Sequence, residues 1–81
     1  MPKTKSPTVP NTHTLQLLME EYLGMLRDAE RGVKKVLSLS PQKEEFWDEL
    51  TSLHPLLTLV EGRSNGIQEE IEDLIDQLPE D

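Results

Sequence analysis

Two acidic pairs stand at one-turn spacing in the middle of the chain, Glu44 with Asp48 and Glu45 with Glu49. Carboxylates four residues apart on a helix share a face and can share a hard cation through their oxygens. Carboxylate metal centres in helical bundles also use an inward Glu-x-x-His unit, and here no Glu lies three residues before a His. The pairs therefore read as a solvated helix face, and no metal or cofactor is expected. His13 and His54 are the only imidazoles. His54, next to Pro55, could sense pH or supply one ligand to a metal shared between subunits. A lone histidine in such a place more often packs its ring and hydrogen-bonds locally.

Nucleophilic chemistry finds no better footing. The absence of cysteine removes thiolate nucleophiles, thiolate metal sites and disulfides together. No nucleophile with a base beside it, no glycine-rich phosphate loop and no pair of acids fit for a cleft can be made out, so the chain is read as a non-enzyme.

Binding is the remaining class. Trp47, beside Phe46, is the one large aromatic anchor, a type enriched in binding hot spots, although at the base of a hairpin it also serves as cover. Near the C-terminus Ile67, Ile71, Leu74, Ile75 and Leu78 form an apolar stripe flanked by acids such as Glu70, a pattern suited to a groove with basic rims. These six residues and Trp47 are the candidate partner-binding set. An ordinary core-facing helix has the same pattern.

Charge sharpens this reading. The 81 residues carry a net charge of −8, unevenly spread. Residues 1–11 hold Lys3 and Lys5 alone, and residues 12–39 balance four bases against four acids. Residues 40–63 set Lys43 and Arg63 against five acids, and residues 64–81 hold seven acids and no base. Such an end repels nucleic acid and anionic membrane and favours a protein partner with a basic surface. The start of the chain leads into prolines and polar residues, not an apolar run, so neither a secretory signal nor a membrane span is expected and the protein is read as cytoplasmic.

The elements that position these residues are helices. From Phe46 an apolar series runs through Leu50, Leu53, Leu57, Val60, Ser64, Ile67, Ile71 and Leu74 to Leu78, its steps alternating four and three as in a coiled-coil seam. A matching series in the first half comprises Leu15, Leu18, Tyr22, Met25, Leu26, Ala29, Val33 and Val36. Asn11, Thr12 or Thr14 can cap the first helix, and Ser40-Pro41 looks like the cap and first residue of the second. The fold expected is all-α: an antiparallel helical hairpin with a long second helix, kinked at Pro55, that self-associates into a bundle. A turn at 62–66, within Gly62-Arg63-Ser64-Asn65-Gly66, would instead give a three-helix bundle.

The expected domain plan is a disordered tail over residues 1–11, where Ser6-Pro7 is a candidate phosphosite, and a hairpin domain over 12–79, with helix 1 at about 12–37 and helix 2 at about 41–78. A turn near residue 39 pairs position i with roughly 79 minus i, because both helices rise equally per residue. That register sets Lys35 near Glu44, Arg31 near Asp48 and Leu15 near Ser64, and leaves everything after about Ile67 beyond helix 1. The function expected is a small acidic interaction module or regulatory accessory protein, whose thin core favours a second copy as a source of stability. The alternatives are an RNA-binding hairpin dimer using Arg27, Arg31, Lys34 and Lys35, and an acidic mimic of nucleic acid.

Overall fold

The computed structural model describes residues 9–79. The first eight residues of the expected tail, Ser6-Pro7 among them, lie outside that range. Among the described residues two helices make up the fold: α1, His13–Ser38, and α2, Glu44–Asp76, packed antiparallel as a hairpin. At about 1.5 Å per residue they are about 39 and 50 Å long. Residues 62–66 are helical, so the three-helix alternative is not adopted.

Local hydrogen bonds explain where the helices start and stop. Asn11 Oδ1 accepts from the His13 backbone N–H at 2.9 Å, while Thr12, the capping position, makes no side-chain bond of its own. At the other end Leu39 turns to extended backbone, and Ser38 Oγ donates to the Lys35 carbonyl at 2.7 Å.

Ser40-Pro41 does not open α2. The Lys43 N–H donates to the Ser40 carbonyl at 2.9 Å, making a separate turn with proline at its favoured second position. Ser40 Oγ accepts from the Gln42 N–H at 3.2 Å within that turn. The Pro41 carbonyl accepts from the Trp47 indole Nε1 at 2.8 Å. Helix α2 therefore begins three residues later than the proline suggested, at Glu44.

That delay shifts the register. Lys35 meets Glu49 at 3.3 Å and Glu45 at 4.0 Å, Glu21 meets Arg63 at 2.6 Å, and Gly32 lies against Leu53. Position i of α1 thus faces about 84 minus i, five residues further along α2 than a turn at residue 39 implies. Leu15 lies beside Ile71 and Leu74, not Ser64, and Arg31 pairs with Asp28 instead of Asp48. The C-terminal stripe consequently does not project past α1: Ile67 and Leu74 are buried and Ile71 is half-buried.

The inner face also differs from the sequence seam in a regular way. On α2 the covered positions are Phe46, Glu49, Leu53, Leu56, Val60, Ser64, Ile67, Glu70, Ile71 and Leu74. Leu50 and Leu57 stand 37% and 45% exposed. A helix turns about 100° per residue, so each seven-residue step falls about 20° short of two turns. Over the length of α2 that drift carries Leu50 and Leu57 to one flank and brings Leu56 inward. On α1 the inner row is Leu15, Leu18, Tyr22, Met25, Ala29, Gly32 and Val36, with Leu26 and Val33 left on the flank. Ala29 and Gly32 make this row small at its centre, which lets Leu53 press in. A Cβ added at Gly32 would stand 2.9 Å from Leu53 Cδ1.

Candidate functional site

The candidate residues divide between the two ends of the hairpin. At the closed end Trp47 is 54% exposed, but its indole is committed to the Pro41 carbonyl and its ring meets Phe46 edge to face, with centroids 5.1 Å apart. It clasps the turn. At the open end the last two turns of α2 meet the chain entering α1. Ile71, Leu74, Ile75 and Leu78 on one side and Val9, Pro10, Thr12 and Leu15 on the other enclose a cleft of about 330 Å³. Its exposed lining is wholly apolar.

The register builds this cleft. With 84 minus i as the pairing rule, Leu15 falls level with Glu69 and Thr12 with Glu72, so the residues before α1 run alongside the end of α2. The Asn11 side chain, bonded to His13, turns the chain at that point. On α2 the Gln77 N–H bonds back to the Asp73 and Leu74 carbonyls, and Leu78 bonds to Ile75, which keeps Leu78 folded toward the cleft. Four of the seven candidate residues thus share one site. Ile67 is spent in the hairpin core, Glu70 is half-buried beside it, and Trp47 lies at the far end. Val9, Pro10, Thr12 and Leu15 were not among the candidates. The apolar pair Val9-Pro10, set in an otherwise polar lead-in, was the available signal.

The helix end that carries the cleft is charged with one sign, although none of its carboxylates lines the cleft itself. Glu69, Glu70, Glu72, Asp73 and Asp76 all lie on the stretch of α2 that forms its wall. The nearest base along α2, Arg63, is already paired with Glu21.

The other candidate chemistries resolve into local contacts. Glu45 and Glu49 share the ammonium of Lys35. His13 and His54 are both exposed. Among the described residues no group of three or more His, Asp or Glu is placed to hold a metal ion, and no helix is long and apolar enough to cross a membrane. On the outer side of α1, Arg27, Glu30, Arg31 and Lys34 surround a shallow depression of about 320 Å³. Two of its three bases are paired, Arg31 with Asp28 at 3.0 Å and Lys34 with Glu30 at 3.2 Å.

No family model, curated protein or solved structure matches the chain. The functional reading therefore rests on geometry and charge.

Proposed function

We propose that the chain is a protein–protein interaction module, with no catalysis of its own, which associates with itself and holds a basic amphipathic segment of another protein at its open end. The observation that carries the reading is the apolar cleft between Leu15 and Ile75, set in a stretch of α2 rich in carboxylates. An apolar slot on an acidic helix end suits a helix that presents leucine-type anchors between lysines or arginines. Burial of the anchors supplies affinity, and the carboxylates supply orientation and rate.

The bend at Pro55 belongs to the same proposal. Pro55 lies inside α2 and has no N–H to give the Thr51 carbonyl, so the helix curves to let water reach that oxygen.

Fluorescence anisotropy with a labelled helical peptide of Leu and Lys tests the docking. Binding is expected to weaken about tenfold or more on Ile75→Glu and to fall as salt rises. Binding that ignores Ile75→Glu would overturn the reading. A nucleic-acid reading draws support only from the depression around Arg27, Arg31 and Lys34. Retardation of an RNA hairpin that disappears when those three bases are replaced by Gln would favour it instead.

A further inference from the structure

The two flanks of the hairpin are unlike. In an antiparallel pair of helices the matching sides of the two seams lie on one flank. One flank carries the interhelix ion pairs Glu21 with Arg63 and Lys35 with Glu45 and Glu49. The opposite flank is apolar: Met19, Leu23, Leu26, Val33 and Leu37 from α1, beside Leu50 and Leu57 from α2, all of them exposed. We infer that this flank is the surface on which a second copy of the chain packs, with the turn of one hairpin over the open end of the other. The inference rests on the self-association proposed above and assigns it a face and an orientation.

Area argues for the occupant. From their fractional exposures these side chains offer on the order of 600 Å² of apolar surface, at the top of the ~300–600 Å² found for the largest patch of a monomer. It is also most of the ~800 Å² that each partner contributes to a stable interface. Among the described residues the core is thin, since only Ala29, Leu53, Ile67 and Leu74 are buried. A second hairpin laid on this flank would convert two layers into four helices around a shared core.

Charge and spacing argue for the orientation. The half of the hairpin nearest the turn, residues 27–49, has five bases against six acids. The open half has Arg63 alone against eight acids within residues 13–26 and 50–76. Turns at the same end would stack two strongly acidic halves, whereas turns at opposite ends set each acidic half against a nearly neutral one bearing Arg27 and Lys34. The strip on α1 is itself almost symmetric about residue 28: Met19 mirrors Leu37 and Leu23 mirrors Val33. A two-fold axis across the strip places each beside its mirror residue in the other copy.

The chain has no cysteine, so single thiols report contacts cleanly. Light scattering on the full chain is expected to give twice the monomer mass, and Leu26→Asp or Leu57→Lys to shift it toward the monomer with helicity kept. A mixture of Met19→Cys and Leu37→Cys chains is expected to cross-link under mild oxidation, with little linkage in either alone. A monomeric full chain, or a dimer indifferent to both charged substitutions, would overturn the face. Linkage of Leu37→Cys to itself in preference to the mixture would overturn the orientation. Leu78→Glu, which spoils the cleft from a position in line with the seam and off this flank, is expected to weaken docking and leave the mass doubled, so failure of docking and failure of assembly are read separately.

Discussion

Gly32 and Gly24 occupy the same helix and differ in what a methyl group would meet. Nothing stands within 4 Å of a Cβ built on Gly24, so Gly24→Ala removes a helix penalty and is expected to stabilise by up to about 1 kcal/mol in urea unfolding. At Gly32 the same gain competes with Leu53, whose buried side chain must move aside. Gly32→Ala is therefore expected to be nearly neutral, and Gly32→Val to cost about 1–3 kcal/mol through overpacking. Equal stabilisation by Ala at both positions would mean that Leu53 does not fill the space beneath α1. Neither glycine could be ranked from composition, because both lie inside one helical pattern. Only the inner row, with its small centre at Ala29 and Gly32, separates them.

Helix α2 poses the corresponding question at the level of an element. Pro55 interrupts its hydrogen bonding without ending it, so Pro55→Ala is expected to raise stability by up to about 3 kcal/mol and to increase helical ellipticity. An unchanged melting temperature would show that the proline's restriction of the unfolded chain offsets the missing bond. The two-helix plan was legible because apolar residues recur every three or four positions on both sides of residue 40. The register was not, because it depends on Ser40-Pro41 forming a turn tied by the Trp47 indole and not a helix start. Leu50 and Leu57 were misplaced for a different reason: a heptad pattern does not say whether the helix supercoils to follow it. The cleft was half legible, as Ile71, Leu74, Ile75 and Leu78 lay in an obvious stripe while their partners Val9 and Pro10 lay in what read as tail.

At the scale of the molecule, slenderness and charge dominate. The radius of gyration is 19.4 Å, against about 12 Å for a compact chain of this length. With a net charge of −8 concentrated at the open end, repulsion between carboxylates opposes closure there. Thermal melts are expected to move upward as sodium chloride rises from about 0.02 to 0.2 M, since screening relieves the repulsion. The ion pairs work the other way, but they are exposed and each is worth about 0–1 kcal/mol. A melt that moves downward would mean that those pairs outweigh the repulsion.

The indole clasp at the turn has one more consequence. Trp47 is the only tryptophan, and it sits at the end of the hairpin opposite the apolar cleft. Its emission is a local gauge of the closed end, while the amides of Ile71 to Ile75 report the open end through hydrogen exchange. If the hairpin unzips from its acidic end, those amides will exchange at salt concentrations where the tryptophan signal is still native, and the two-ended molecule will behave as a hinge with its pin at Trp47.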